Sequence, residues 1–328
     1  MMGAVSTIEC EQIQDLRPLV SGYPYLFDGQ YFGEVPQESL ADAFLRRSSE
    51  HLRRGAQLLI AWRDGKEISG LASVQQLGCD SRHFGISMAR LELVIRPEAE
   101  VLAIQELIRI AVRVCVDWGA AHLSCRQALA VQKANEALAG CSFRPVGIKL
   151  TLRAAEDDLR PADPVAGVKI RDFTPGDAQK VRELAALAVS DSRFHRDGRF
   201  PLAQVAAVYE NWVQTTWERE TGHIRVAERE GDVVGFLAAD FVIPAYGLTS
   251  EDLAGIRAGF VGLVAVDPGA RGLGIAKRLI SESTQRLFGR GCDVAYANVM
   301  LSNESSVNAF FRAGFRLKGS VQEWHLWL

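Results

Sequence analysis

Apolar and polar positions follow two rhythms along this chain, and together they predict an α/β fold. Segments 57–62 and 68–75 are predicted to be strands, and Asp64-Gly65 between them is a strong signal for a hairpin turn. Apolar positions at helical spacing predict an amphipathic helix over 37–54. A continuous apolar run at 261–266 predicts a strand buried on both faces. The pattern therefore predicts mixed, mostly antiparallel sheets flanked by helices.

The same order of elements occurs twice. Each half predicts a helix, a hairpin, a strand, a long helix, a short strand, a short helix and a final strand. A charged, proline-containing segment at 156–167 has the composition of a linker. The sequence therefore predicts tandem domains at 1–155 and 168–328, and 328 residues are enough for both.

Composition narrows the classes of function. The chain is 48% hydrophobic and 23% charged with a net charge of −3, which is typical of a globular protein and gives no reason to expect a nucleic-acid partner. No apolar run approaches a membrane span, and the first residues lack the pattern of a signal peptide. The six cysteines form no C-x-x-C pair, so we expect buried thiols and no metal site. We therefore expect a cytoplasmic protein without a membrane partner.

The stretch 261–276, VGLVAVDPGARGLGIA, combines a buried strand, a glycine-rich turn and a helix start. Free N–H groups and the helix dipole favour an anion at such a helix start. Gly272 and Gly274 have no Cβ, so a phosphate can approach the backbone closely. Arg271 adds a cation at the rim. The stretch therefore predicts a phosphate-binding loop.

Two familiar phosphate motifs do not fit this loop. Ile275 and Ala276 stand where a Walker loop needs Lys and Ser or Thr, and Lys277 stands where a dinucleotide-binding turn needs a third glycine. R-x-x-G-x-[GA] after a strand ending V-x-P instead resembles the pyrophosphate loop of the GNAT acyltransferases, which bind acetyl-CoA. The resemblance implies a strand that separates from its neighbour to pair with the pantetheine arm, and loop amides that hold the pyrophosphate. The residues implied are Val264, Ala265, Val266, Arg271, Gly272, Leu273, Gly274, Ile275 and Ala276.

A second motif at 303–315 resembles the GNAT pattern N-x-x-[AS]-x-x-x-Y-x-x-x-G-F. Asn303 is a favourable helix N-cap, and Gly314 favours the end of the helix. In the family this helix flanks the pantetheine arm, which assigns Asn303, Ser306 and Phe310 to coenzyme A binding. Phe310 replaces the tyrosine that commonly protonates the leaving thiolate.

The missing tyrosine leaves three interpretations open. Thiolate is a good leaving group, so the acid is dispensable. Alternatively, Tyr296 or Asn298 on the adjacent strand substitutes for it. In the third interpretation the protein binds acyl-CoA and does not transfer the acyl group.

Direct transfer to an amine also needs a backbone N–H for the oxyanion and a base for the amine's proton. The strand at 263–266 offers the N–H. Asp240, at the end of a predicted hairpin strand, and a water chain are candidates for the base. His195 and His325 are further candidates.

The first half lacks the loop, because 96–100 reads RPEAE and its two carboxylates would repel a pyrophosphate. We expect it to serve as a scaffold or as a wall on the acceptor side.

The arrangement resembles the dTDP-fucosamine acetyltransferases, through the loop at 79–85, through Ser192-Arg193-Phe194, and through the last strand. A following helix with Tyr209 and Trp212 adds to the likeness.

That resemblance implies an amino sugar carried by a nucleotide as the acceptor amine. Two alternatives stay open: an N-acyltransferase for an amino acid, peptide or other small amine, and a non-catalytic acyl-CoA-binding protein. Acetyl-CoA is the expected co-substrate in the two enzyme readings. A homodimer is left open.

Overall fold

A computed structural model describes residues 4–27, 34–188, 192–241, 248 and 251–328. The strands are β1 (Ala4–Thr7), β2 (Gln57–Asp64), β3 (Glu67–Gln76), β4 (Met88–Ile95), β5 (His122–Ala128), β6 (Arg144–Ala154), β7 (Val168–Asp172), β8 (Gly222–Arg229), β9 (Asp232–Asp240), β10 (Ala258–Val266), β11 (Val294–Met300) and β12 (Arg316–Trp327). The α-helices are α1 (Arg17–Ser21), α2 (Gln37–Arg53), α3 (Gly78–Phe84), α4 (Val101–Asp117), α5 (Gln132–Gly140), α6 (Ala178–Leu187), α7 (Arg193–Asp197), α8 (Leu202–Glu218), α9 (Ile275–Gly289) and α10 (Glu304–Ala313).

The chain forms two compact units. Unit 1 comprises 1–148, 251–254 and 320–328, and unit 2 comprises 149–250 and 255–319. The expected boundaries at 155 and 168 remain a prediction about domains. The contacts, however, assign 149–154 to unit 2, because β6 pairs with β11, and 320–328 to unit 1, because β12 pairs with β5.

Unit 1 contains a sheet in the order β1-β2-β3-β4-β5-β12. Its neighbours are antiparallel except for β4 and β5, which run parallel. Helix α4 packs on this sheet through Ile104, Leu107 and Ile108, which are fully buried in the apolar core. This burial explains the helical spacing of apolar residues in that part of the sequence.

Unit 2 repeats the same pattern in the order β6-β11-β10-β9-β8-β7. Again one pair, β10 and β11, is parallel and its neighbours are antiparallel. Val181 and Leu184 of α6 and Val213 of α8 bury one face of this sheet together with Phe236. The predicted α/β fold with two similar halves is therefore confirmed.

Local differences from the expectations concern short elements. The segment 79–85, expected as a loop, forms α3, which ends at Gly85 in the left-handed conformation (φ 68°). The final strand predicted for the second half is β12, one continuous strand of 12 residues. β1 carries no clear apolar alternation and pairs with β2 through its backbone. None of the described helices is long and apolar enough to cross a membrane.

Candidate active site

The parallel strands β10 and β11 separate within unit 2. Their register runs from Ala258 opposite Val294 to Val261 opposite Ala297, and both strands then continue, to Val266 and to Met300. The pairing of β10 with β9 shifts between Val261 and Leu263, so Gly262 lies in a bulge. The strand separation that the resemblance implied is therefore present.

The hydrogen-bond pattern shows which amides of β10 face this gap. Asp267 N–H donates to Val234 C=O across 2.9 Å, so this position faces β9. Backbone groups alternate sides in an antiparallel ladder, which places those of Ala265 toward β9 and those of Val264 and Val266 toward the gap. The carbonyl of Val266 accepts from Arg271 Nε at 3.2 Å. Of these two gap-facing residues, Val264 is the nearer to Val261, where the pairing of β10 with β11 ends.

The loop after β10 fits a phosphate by its backbone. Gly272 and Gly274 have φ values of 80° and 84°, a region that glycine adopts without strain. A Cβ on Gly272 would meet open space, so the backbone is accessible there. Helix α9 begins at Ile275, directly after Gly274. The first N–H groups of this 15-residue helix therefore lie beside an open glycine turn.

Helix α10 forms the other side of the site. Asn303 Oδ1 accepts hydrogen bonds from Ser306 N–H and from Ser305 Oγ, both at 3.1 Å, and so caps the helix. The helix ends at Gly314 with φ 105°. The cap and end predicted from the second motif are therefore present. Phe310 is buried and packs edge-to-face on Phe315 at 5.1 Å.

A cavity of about 460 Å³ lies between these elements in unit 2. Its lining residues are Leu187, Ala188, Val264, Ala265, Val266, Ala270, Arg271, Gly272, Gly274, Ile275, Ala276, Lys277, Asn303, Ser305, Ser306, Asn308, Ala309 and Arg312. The described lining contains three cations, Arg271, Lys277 and Arg312, and no carboxylate. Its chemistry therefore favours a ligand with several negative charges.

The cavity gathers most of the residues that the two motifs implied. Leu273 and Phe310 lie outside its described lining, because Leu273 faces solvent and Phe310 packs into the core. Lys277 and Arg312 were not among the residues predicted for the site. Ser305, Asn308 and Arg312 are spaced by three and four residues and so share one face of α10, but this spacing alone does not show that the face lines a cavity.

The three catalytic candidates lie away from the described cavity lining. Asp240 is 1% exposed; Oδ2 accepts from Arg219 Nη2 at 3.0 Å, and Oδ1 accepts from Thr221 Oγ1 at 3.3 Å. Burial raises the pKa of Asp240, and the charge of Arg219 opposes this shift. The arrangement is that of a buried ion pair.

The other candidates differ in their position along the strands. Tyr296 is buried in the paired part of β11, opposite Phe260, whereas Asn298 lies just beyond the point of separation. Thr151 Oγ1 donates to Asn298 Oδ1 at 3.4 Å. His195 lies on α7 in unit 2, but His325 belongs to unit 1, where its ring is 4.5 Å from that of His122.

Unit 1 contains a similar strand separation with different surroundings. β4 and β5 pair from Met88 opposite His122 to Leu91 opposite Cys125, and both strands then continue. Buried Tyr23 accepts a hydrogen bond through its hydroxyl oxygen from Gln127 Nε2 at 3.0 Å, in the separated part of β5. An aromatic residue of the N-terminal segment therefore lies at this gap.

Comparison with known proteins finds similarity to GNAT acetyltransferases. Residues 183–315 match the family described as "Acetyltransferase (GNAT) family". A GCN5-related N-acetyltransferase from Sphaerobacter thermophilus superposes with a TM-score of 0.66 at 17% identity, covering 99% of this chain and 95% of that one. A tandem GNAT protein from the clavulanic acid biosynthesis pathway gives 0.55 at 13%, covering 99% and 98%. The family match at 183–315 and the structural similarity both agree with the GNAT-like fold that the sequence predicted.

Two relatives in sequence carry more specific names. A mycothiol acetyltransferase from Sanguibacter keddieii is 27% identical over 240 residues, which are 72% of this chain and 67% of that protein. The spore coat polysaccharide biosynthesis protein SpsD from Bacillus subtilis is 24% identical over 153 residues, 47% of this chain and 48% of that protein. The match thus spans about half the length of SpsD.

Proposed function

We propose that this protein is an acetyl-CoA-dependent N-acetyltransferase that transfers the acetyl group directly to a primary amine of an amino sugar. The observation that carries the proposal is the cavity of unit 2. It joins a gap between strands, a glycine turn at a helix start and a described lining with cations and no carboxylates. A pantetheine arm needs the first feature, and a pyrophosphate needs the other two.

Each part of the cavity has a role toward acetyl-CoA, the co-substrate of this proposal. Amides of 271–276 hold the pyrophosphate, and the cations Lys277 and Arg312 favour its charge. The gap-facing groups of Val264 and Val266 hold the pantetheine end. The N–H of Val264 is the donor for the carbonyl oxygen as negative charge develops on it.

The transfer step needs few further groups from the protein. The amine nitrogen forms the new C–N bond, the C–S bond breaks, and the amine gives up one proton. We assign that proton to water, because Asp240 is buried and both of its oxygens already accept hydrogen bonds. Phe310 has no proton to give, so the thiolate leaves unassisted or takes a proton from water. Tyr296 and Asn298 stay as proposed alternatives for that donor.

Asp240→Asn and Tyr296→Phe test these assignments. With water as the base, Asp240→Asn changes kcat by less than about 10-fold and leaves the shape of the pH–rate profile unchanged. A loss of about 100-fold or more, together with loss of the limb of the profile that reports the base, would restore Asp240 as the base. The same criteria applied to Tyr296→Phe and Asn298→Ala test the acid.

The choice of an amino sugar has two sources of support. The two-unit fold and segments 79–85 and 192–194 resemble the dTDP-fucosamine acetyltransferases, and SpsD is named for polysaccharide biosynthesis. The experiment is thiol release from acetyl-CoA with a dTDP-4-amino-4,6-dideoxyhexose, in the wild type and in the Gly274→Asp variant. Acceptor-dependent release that the variant loses would support the proposal.

A second acceptor class is favoured by a separate observation. The mycothiol acetyltransferase aligns over 72% of this chain, which is more than SpsD covers. The acceptor of that enzyme therefore belongs in the same assay. Preference for it over the sugar nucleotide by kcat/KM would reassign the substrate. Tight acetyl-CoA binding without release in a wider amine panel would favour the non-catalytic acyl-CoA-binding protein.

A further inference from the structure

An aromatic side chain packs on β10 beside the point where its pairing with β11 ends. A Cβ added to Gly262 would lie 3.1 Å from Trp212 Cζ2, so the indole of α8 rests directly on the strand at the bulge. The indole is nearly parallel to the ring of Phe260, with an interplanar angle of 17° and centroids 6.5 Å apart. Tyr209, one turn earlier on α8, lies 6.2 Å from it. These contacts hold the indole in one place.

On β10 the lining of the cavity of unit 2 stops at Val264, two residues from the glycine on which the indole packs. Its lining includes β10 from Val264 to Val266, whereas Gly262 and Trp212 lie outside the described lining. The glycine loop that fits a pyrophosphate is at the opposite, wide end of the gap. The acyl end of a coenzyme A thioester is the end remote from its pyrophosphate. The acyl group is therefore directed toward Val264 and the indole beyond it.

We propose that Trp212 limits the acyl group to a short chain and so sets the acyl specificity of the enzyme. Gly262 contributes by its missing side chain, which lets the indole approach the backbone and occupy the space that a longer chain would need. The inference rests on the proposed function, because it requires an acyl-CoA in the cavity of unit 2. It concerns a specificity residue that the two coenzyme A motifs do not contain.

The test measures binding and needs no acceptor. Acetyl-CoA, butyryl-CoA and hexanoyl-CoA are titrated into the full-length protein by calorimetry. We expect the wild type to bind acetyl-CoA at least about 10-fold more tightly than hexanoyl-CoA, because a closed pocket rejects added methylenes. Trp212→Ala should reduce this ratio by about 10-fold or more while its Kd for acetyl-CoA stays within about 3-fold.

Two further variants keep the result interpretable. Trp217→Ala removes another tryptophan of α8, one that is 42% exposed and packs on Phe173 at 5.1 Å, and it should leave the ratio unchanged. Trp212→Phe keeps an aromatic ring on Phe260 and should give an intermediate ratio, which preserves the test if the alanine variant fails to fold.

The outcomes separate this inference from the function on which it rests. Equal ratios in the wild type and both Trp212 variants would overturn the acyl assignment while leaving acetyl-CoA binding intact. A changed KM for the acceptor with an unchanged acyl ratio would assign Trp212 to the acceptor and also overturn it. Absence of acetyl-CoA binding in the wild type would overturn the proposed function, and this inference with it.

Discussion

The two units use the same strand arrangement with opposite chemistry beside it. In each, a parallel pair separates after four paired residues and a helix follows the first strand of the pair. In unit 2 the connecting loop has Gly272 and Gly274, and the described cavity lining has no carboxylate. In unit 1 the loop contains Glu98 and Glu100, and Tyr23 lies at the gap. The same strand separation therefore occurs beside two different sets of charged and aromatic groups.

The difference between the units shows that few residues determine the chemistry of each gap. Both units need the same buried strands and helix faces, which are spread over the whole chain. The features that distinguish the two gaps are confined to a few loop residues and one buried tyrosine. A repeated fold can thus keep its architecture in both copies and a function in one.

The largest effect on the difference between the two units is expected from Gly274→Asp. A carboxylate at the start of α9 opposes a bound anion, and a side chain at φ 84° strains the turn. We expect acetyl-CoA affinity to fall by about 100-fold or more. Gly119→Asp is the matched control, since Gly119 has φ 69° in unit 1 and also borders open space. Equal affinity in both variants would remove the glycine loop from the site.

In unit 1, Tyr23→Ala removes the aromatic side chain that lies at the gap between β4 and β5. Removing a buried aromatic ring should lower the stability of unit 1 by about 3–5 kcal/mol. Tyr23→Phe, which loses only the hydrogen bond to Gln127, should cost about 1 kcal/mol. Denaturant unfolding measures both. Calorimetry should still find one acetyl-CoA per chain, and a second equivalent in Tyr23→Ala would show that the tyrosine alone keeps unit 1 from binding.

Lowering the pH should reduce the stability of unit 2 in particular. Burial, and then repulsion by Arg286 and Arg225, lower the pKa of His223 to about 4 from an ordinary value near 6.5. The folded state therefore binds this proton less well than the unfolded state. The stability that the neutral imidazole contributes is complete above pH 6.5 and is lost as the pH falls toward 4, by about 2 kcal/mol at pH 5.

Hydrogen exchange in β8 at pH 7 and pH 5 measures this effect of His223 locally. The His223→Phe variant keeps a ring stacked on Phe241, where the wild-type rings are 4.9 Å apart at 21°. In this variant the amides of β8 should keep at pH 5 the protection from exchange that the wild type loses. An unchanged pH response in the variant would assign the acid sensitivity to other groups.

The smallest effect is expected from Asn303→Ala. Loss of the cap on α10 should lower the free energy of unfolding by about 1 kcal/mol. It should weaken acetyl-CoA binding less than Gly274→Asp does. Helix α5, in the corresponding place in unit 1, begins after Val131 without a side-chain cap. Ser192→Ala removes the cap of α7 and serves as the control, with acetyl-CoA affinity expected to stay constant. Equal affinities in both variants would limit Asn303 to a structural role.

Local chemistry explains which parts of the site were predictable. The turn at Gly272 and Gly274 and the cap at Asn303 depend on neighbours within a few residues, and both are visible in sequence. Lys277 and Arg312 enter the cavity only because α9 and α10 face each other across the strand gap. The short helix α3 has too few turns to show a period, so it was expected as a loop.

Pairing of distant strands was beyond the sequence. The partner of β12 is β5, almost 200 residues earlier in the chain, and no local pattern specifies such a pair. The sequence predicted a final strand at the C-terminus but not the sheet to which it belongs. The expected linker at 156–167 therefore could not reveal that β6 and β12 contribute to different units from those expected.

This assignment of the terminal strand has a consequence for biosynthesis. The sheet of unit 1 includes residues 321–327, so a ribosome must pass residue 319, the last residue of unit 2, before that sheet can close. Unit 2 contains no residue between 320 and 328. The unit encoded first is thus the one completed last. A stop codon at position 320 would remove the paired part of β12 from the sheet of unit 1 and leave every residue of unit 2 in the chain.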